Sequence, residues 1–332
     1  MSVYPRRNYC TFFDRNYLSQ GIVLYNSLVR NSSKPLQLWV LCMDDETYSV
    51  LESIKLEGLK PLKLSELEAF DPELANIKET RSKIEYFFTC TPCLPRFILT
   101  LDSLTEGITY IDADLYFFND PELIYQVIGD SSISITPHRY SQRVPDKEKW
   151  GKYNVAFIYF RRDENGQSCI EWWRKSCIEW CYDRAESGKF ADQGYLNDWP
   201  ERFQSVCVLE NPGINLALWN LEDSKLSLND KEIQVNNKTL IFYHFHLFKK
   251  LSERFYKTNI EIYSIQYDRI LLKCIYQKYA NEVFKTSKMI GPVLTENTVI
   301  RYDDKKNWTS FNGIKLTELM VQVFNGKIII AW

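Results

Sequence analysis

Ile108-Thr-Tyr-Ile-Asp112-Ala-Asp114-Leu-Tyr-Phe-Phe-Asn-Asp-Pro121 sets two carboxylates one residue apart between apolar runs. Ile108 to Ile111 reads as a short buried strand, and Leu115 to Phe118 is just as apolar. An ionised carboxylate taken from water costs free energy unless it gains a partner. Side chains at i and i+2 of an extended segment point the same way, so Asp112 and Asp114 can face one cation. Hard oxygen ligands favour magnesium or manganese, ions that also bind substrate phosphates. Taken alone, the pair is equally compatible with solvated strand-end carboxylates or a salt bridge, so the rest of the chain has to decide.

Upstream of this stretch, strands and helices alternate. Asn8 to Phe13 is a β-rich run ending at Asp14, and Leu18, Ile22, Tyr25 and Leu28 or Val29 mark one helix face. Leu36 to Cys42 is a second strand, Thr47 to Leu56 a helix ended by Gly58, and Leu59 to Leu64 a third strand. This order predicts an α/β fold with a mainly parallel, Rossmann-like sheet flanked by helices. Ligands of such sheets bind beyond the carboxyl ends of the strands, where Thr11 to Asp14, Asp44 and Asp112 to Asp114 all fall. Ser82 to Leu101 reads as helical stretches broken at Pro92 and Pro95. Downstream, Ile133 to Thr136, Asn154 to Phe160, Val206 to Leu209 and Thr239 to Leu247 read as strands, and Ser168 to Glu186 as a helix. Ile260 to Lys285 has a long helical pattern, and Val321 to Trp332 reads as a hairpin turning at Asn325-Gly326. The best break lies near Leu251, giving a domain over 1–250 and a C-terminal extension of helix and hairpin over 251–332 packed on it.

The 332 residues are 45% hydrophobic and 25% charged, an ordinary globular composition, and the net charge of -2 gives no electrostatic case for nucleic acid. No stretch approaches the ~20 apolar residues of a transmembrane helix. Met1 to Asn16 has arginines where a signal peptide needs an apolar region. The nine cysteines are an odd number scattered through the chain, which points to reduced thiols and a cytoplasmic setting. Cys90-Thr-Pro-Cys93 has redox or zinc spacing but no second such pair to complete a four-thiolate site. The apolar end, Ile328-Ile-Ile-Ala-Trp332, leaves contact with the inner face of a membrane open.

Two of the three histidines, His244 and His246, end an apolar run, and alternation puts both on one side. A neutral imidazole suits manganese as a third ligand; which of the two serves is open, with His244 preferred. Lys249 and Lys250 just beyond, and Arg96 upstream, offer cations to phosphate oxygens. Asp192 is a further carboxylate where a loop turns into a helix, either a helix cap or a group facing a sugar's anomeric carbon.

In this order the pieces resemble nucleotide-sugar glycosyltransferases of the GT-A fold, most nearly the retaining group called family 8, which includes glycogenin-like and lipopolysaccharide-galactosyltransferase-like enzymes. Cys10-Thr11-Phe12-Phe13-Asp14, followed by Tyr17, is similar to the first strand, whose end meets the nucleotide base. Tyr110-Ile-Asp112-Ala113-Asp114 is similar to the metal motif, preceded at matching spacing by a basic residue, here Arg96. Asn154-Val-Ala-Phe-Ile-Tyr159 resembles the strand whose asparagine touches the donor sugar, and Asp192-Gln193-Gly-Tyr-Leu-Asn197 the segment beside the reacting carbon. His244 matches the third metal ligand.

The resemblance implies a metal-dependent transferase moving a sugar from a UDP-sugar to a glycan or lipid-linked saccharide with retention. It implies manganese or magnesium on Asp112, Asp114 and His244, and donor contacts from Thr11, Phe12, Phe13, Asp14, Tyr17, Arg96, Ala113, Asn154, Lys249 and Lys250. Asp192 and Gln193 would face the reacting sugar. The family's Gly and Lys-Pro-Trp element after the histidine is here His-Phe-His-Leu-Phe-Lys-Lys, so either lysine can be assigned to the diphosphate. A catalytically degenerate relative that binds a glycan or a partner is the alternative. An Asp-x-Asp phosphatase would need Thr or Val where Tyr116 stands, and a sugar-nucleotide pyrophosphorylase a glycine-rich basic loop that Asp14 to Ser19 is not.

Overall fold

The computed structural model describes residues 6–144, 147–297 and 316–332. The first eight strands in chain order are β1 (Arg7–Phe13), β2 (Leu36–Cys42), β3 (Leu59–Lys63), β4 (Gly107–Ile111), β5 (Leu115–Phe117), β6 (Ile133–Pro137), β7 (Tyr153–Arg161) and β8 (Val206–Val208). All but β5 form one sheet in the order β3-β2-β1-β4-β7-β6-β8. Only β7 runs antiparallel to its neighbours. The expected mainly parallel α/β sheet is therefore present. Its inner strands are apolar on both faces because helices cover both. Along β1 and β2, Cys10, Trp39 and Leu41 pack on one side, and Tyr9, Phe13, Leu38 and Val40 on the other.

Helices α1 (Leu18–Asn31) and α2 (Asp45–Ile54) follow β1 and β2. In α1 the buried stripe uses Leu28, while Val29 is exposed. A Cβ on Gly21 would lie 2.2 Å from the Phe13 ring, so glycine lets α1 close down on the end of β1. Asp44 caps α2 by accepting from the Thr47 N–H at 2.7 Å.

After α3 (Leu64–Phe70) and α4 (Pro72–Ile77) comes α5, one unbroken helix over Lys83–Leu101. The break expected at Pro92 and Pro95 does not occur. A Ser82–Glu85 capping box fixes the helix start, and Tyr86, Cys90, Cys93, Leu94 and Phe97 bury its length. Packing of this face outweighs the amide donors that the prolines lack. Cys90 and Cys93 are fully buried side chains of this core, with thiols pushed up by burial.

The rest of the main layers comprises α6 (Glu122–Ile128), α7 (Glu164–Glu179) and α8 (Trp199–Arg202). Between α4 and α7 lies a buried ion pair in which Arg174 Nε donates to Asp71 at 2.7 Å. Arg174→Leu is expected to cost about 3–5 kcal/mol of stability, because Asp71, 2% exposed, loses its closest charge partner and keeps only Arg96 at 3.9 Å and the Leu74 N–H at 3.3 Å. Urea unfolding of the variant checks this; a loss under 1 kcal/mol would contradict it.

The remaining strands are β9 (Leu226–Asn229), β10 (Glu232–Val235), β11 (Lys238–Thr239), β12 (Phe242–His244), β13 (Lys249–Lys250), β14 (Phe255–Lys257) and β15 (Ile328–Ile330). The single strand expected over Thr239 to Leu247 is thus split between β11 and β12. The long helix expected from Ile260 begins later. A π-helical turn at Leu271–Tyr276 leads into α9 (Gln277–Asn297).

Val321 to Phe324 is helical, part of α10 (Leu316–Phe324), so no hairpin forms there. Asn325-Gly326 instead ends this helix: Gly326 has φ +71°, its N–H donates to Val323 C=O, and Lys327 N–H donates to Gln322 C=O. That double bond is the αL glycine cap of a helix rather than a strand turn. β15 then pairs with β14. Residues beyond Leu251 share a core with the sheet domain. Phe245 stacks on Tyr279 with ring centres 3.7 Å apart, and Glu282 takes Arg30 at 2.8 Å and the Tyr116 hydroxyl at 2.7 Å. Among the described residues no helix is long and apolar enough to cross a membrane.

Candidate active site

Chain topology delivers to the carboxyl end of β4 three side chains that could ligate a metal ion. After Ile111 the chain turns over Asp112-Ala113-Asp114, the Leu115 N–H donating to Asp112 C=O at 3.4 Å. The carboxylates converge through this turn, not through the alternation of an extended strand. β5 then leaves the central sheet and pairs antiparallel with β12, placing His244 opposite Leu115. Phe245 N–H donates to Asp114 C=O at 2.9 Å, and His244 N–H donates to Leu216 C=O at 2.8 Å, so β12 is held on both edges.

The result is a compact triad. His244 Nε2 lies 3.1 Å from Asp114 Oδ1 and 3.8 Å from Asp112 Oδ2, and one ligand atom from each residue falls within 4.8 Å of the others. Ligands of one octahedral ion at about 2.1 Å stand roughly 3.0–4.2 Å apart, so the two measured separations fit a magnesium or manganese ion. The donor set, two carboxylates and an imidazole, also suits manganese.

Without an ion the triad shares its charge. Burial pushes the Asp112 carboxyl up to about 6, helped by Asp114 and opposed by His244. Burial also acts on Asp114, but the His244 charge and hydrogen bond outweigh it and hold Asp114 below its usual range. His244 is raised, its burial outweighed by Asp114 and then Asp112. Tyr110 donates its hydroxyl to Asp112 at 2.9 Å and fixes that carboxylate's rotamer.

These groups line a cleft of about 760 Å³. At the β1 end, Phe12, Phe13, Asp14 and Tyr17 form one wall. Asp14 there accepts from Asn16 N–H at 3.0 Å and from Lys83 Nζ at 2.7 Å. Ala113, Asn154, Asp192 and Gln193 also line the cleft. Asn154 accepts from Ala156 N–H at 3.1 Å and from Asn215 Nδ2 at 3.3 Å. Its own amide lies 3.1 Å from His138 Nε2, so the side chain is held from three sides.

Asp192 is 3% exposed and makes no bond that caps the short helix after it, so the capping role is not the one it plays. Burial pushes its carboxyl up to about 7 against a hydrogen bond from Thr91, and Asp112 adds to the rise. Gln193 donates to the Trp150 carbonyl at 2.8 Å.

Four residues expected in the site lie outside the cleft lining. The Thr11 side chain is fully buried within the sheet. Arg96, expected near the diphosphate, lies in α5, paired with Glu171 at 2.7 Å, 3.9 Å from Asp71 and set over the Phe70 ring. Lys249 and Lys250 form β13 and pair with β14, and neither is among the residues that line the cleft.

Other lining residues carried no sequence signal. Trp219 comes from a loop and stands edge-on to both His244 (5.0 Å) and His246 (5.4 Å), its indole N–H donating to His138 C=O. Trp150 and Phe190 meet edge to face at 4.8 Å. His138 could have been found: it is the third histidine, at the end of β6, and burial and the His244 charge push it down to about 3.

No protein-family model matches the chain. Among solved structures, the galactosyltransferase LgtC, in complex with donor and acceptor sugar analogs, superposes with a TM-score of 0.52 at 12% identity, over 90% of this chain and 99% of that one. That likeness is one of fold, and it agrees with the expected GT-A architecture. In sequence, YfnF of Bacillus subtilis (strain 168) is 35% identical over 254 residues, 74% of this chain and 82% of that protein. YfnD of the same organism is 30% identical over 275 residues, 82% of this chain and 87% of its own length. Both relatives are themselves uncharacterized. With about a third of the aligned residues identical over most of both lengths, the chain belongs to the family of YfnF and YfnD.

Proposed function

We propose that this protein is a metal-dependent glycosyltransferase that moves a sugar from a UDP-sugar to a saccharide acceptor with retention. The observation that carries the reading is the triad itself: Asp112, Asp114 and His244 meet at ion-binding distances at the carboxyl end of a parallel sheet. When bound there, a divalent cation supplies charge neutralisation to a departing diphosphate. In this reading Phe12, Phe13, Asp14 and Tyr17 supply a wall for the nucleoside, and Asn154 hydrogen-bonds the sugar. Asp192 lines the same cleft, and in this reading its carboxylate form stabilises positive charge on the ring. Lys249, Lys250 and Arg96 have no assigned part in this reading. The test is UDP release from a panel of UDP-sugars with manganese and mixed saccharide acceptors. Turnover that stops on chelation is expected, and turnover unaffected by chelator would contradict the metal's role.

A binding-only relative is the second reading, supported by the absence of those three cations from the residues that line the cleft. It predicts UDP and manganese binding, or glycan binding, with no turnover of any UDP-sugar.

A further inference from the structure

A nucleoside diphosphate brings two phosphates into the cleft, yet among the described residues the only lysine or arginine lining it is Lys83. Lys83 is already paired with Asp14 at 2.7 Å, at the nucleoside end. Among the polar side chains near the triad is a second imidazole. His246 lines the cleft beside Trp219, its ring centre 6.0 Å from that of His244. It lies outside the ligand group formed by Asp112, Asp114 and His244. Among the described residues nothing hydrogen-bonds its ring.

Its placement is over-determined by the fold. Phe245-His246-Leu247-Phe248 is a tight turn closed by the Phe248 N–H donating to Phe245 C=O at 3.0 Å. Leu247 holds φ +63°, a left-handed conformation costly for a branched side chain. The turn is held in that shape by Asn259 Nδ2 donating to the Leu247 carbonyl at 2.6 Å. Phe245 and Phe248 anchor both flanks in the core. Strain retained at the mouth of a site points to a residue that must be presented in one orientation.

We propose that His246 donates a hydrogen bond to a diphosphate oxygen of the nucleotide held at the triad, in the place a lysine or arginine would otherwise occupy. The inference rests on the nucleotide-sugar reading above. In either protonation state an imidazole offers at least one N–H donor. An oxygen bound to an ion in the triad, with a donor one hydrogen bond (~2.9 Å) beyond it, spans the gap from triad to His246. His246 thereby acts on the nucleotide and not on the ion.

The experiment separates these. Manganese alone is titrated into wild type, His246→Ala, His246→Asn and His244→Ala by electron paramagnetic resonance. UDP is then titrated calorimetrically at saturating manganese. His246→Ala is expected to bind manganese within about twofold of wild type and UDP about tenfold more weakly, the weight of one charge-assisted hydrogen bond. His246→Asn, which keeps an N–H donor, is expected to recover most of the UDP affinity.

Unchanged UDP affinity in His246→Ala would overturn the proposal, as would a loss of manganese binding matching that of His244→Ala. Absence of UDP binding by the wild-type protein would instead bring down the nucleotide-sugar reading, and this inference with it.

Discussion

In Asp114→Asn, manganese affinity falls by about 100-fold or more, and UDP release from a UDP-sugar falls to the uncatalysed background. Loss of groups that merely orient metal ligands costs about 10–100-fold, so loss of a charged ligand costs at least as much. Asp114 is central to the triad: its Oδ1 lies 3.1 Å from His244 Nε2, and its backbone carbonyl accepts the Phe245 N–H that docks β12. The substitution removes the charge and leaves that backbone bond intact, so the fold survives and the loss reads as chemistry. His244→Ala is expected to behave alike for metal, whereas Arg96→Leu leaves metal affinity within about twofold, because Arg96 is engaged with Glu171. Paramagnetic resonance titration and a UDP-release assay provide both readouts. Undiminished manganese binding in Asp114→Asn would contradict the ligand assignment.

Asp192→Asn stabilises the metal-free protein while abolishing or sharply lowering its turnover, and the stabilisation grows with pH. The folded carboxyl titrates at about 7 because it is buried, against an ordinary value near 3.8. Below the ordinary value both folded and unfolded chains carry the proton, and no penalty arises. Between the two values the unfolded chain ionises while the folded one resists, so wild-type stability falls as pH rises; above about 7 the penalty is constant. Asparagine escapes it. Each pH unit in that window is worth at most about 1.4 kcal/mol, so the advantage of the variant grows by about 2–3 kcal/mol from pH 5 to pH 8. Thermal melts in chelator at the two pH values measure it. An equal shift at both would show that Asp192 is already ionised at low cost in the folded state. Ground-state cost at one carboxylate, retained in the native chain, is what a group serving chemistry rather than packing leaves behind.

Much of this was legible in the sequence, for physical reasons. β1 and β2 are mostly buried runs and β3 a short alternating one, separated by helical periodicity, and that order of elements has few solutions other than a mainly parallel sheet. Asp112, Asp114 and His244 stood out because ionisable groups at the ends of apolar runs need partners.

What stayed hidden depended on register and tertiary packing. Pairing of β12 with β5 is a long-range event, and only that register brings His244 opposite Leu115. Arg96 had suitable spacing, but helical rotation within α5 turns it toward Glu171. Pro92 and Pro95 read as breakers, and burial of α5 overrides them. Asn325-Gly326 suits both a hairpin turn and a left-handed helix cap, and local sequence alone does not choose between these. Trp219 reaches the cleft from a loop and Trp150 from the end of a one-turn 3-10 helix, where no periodicity flags a functional side chain.

The most direct measurement is the anomalous difference density of manganese in crystals of the wild-type protein grown with UDP and manganese chloride. One peak is expected within bonding distance, about 2.1–2.2 Å, of Asp112, Asp114 and His244 Nε2, with both UDP phosphates against it. A peak elsewhere, or UDP seated away from these three side chains, would contradict the assignment of the cleft.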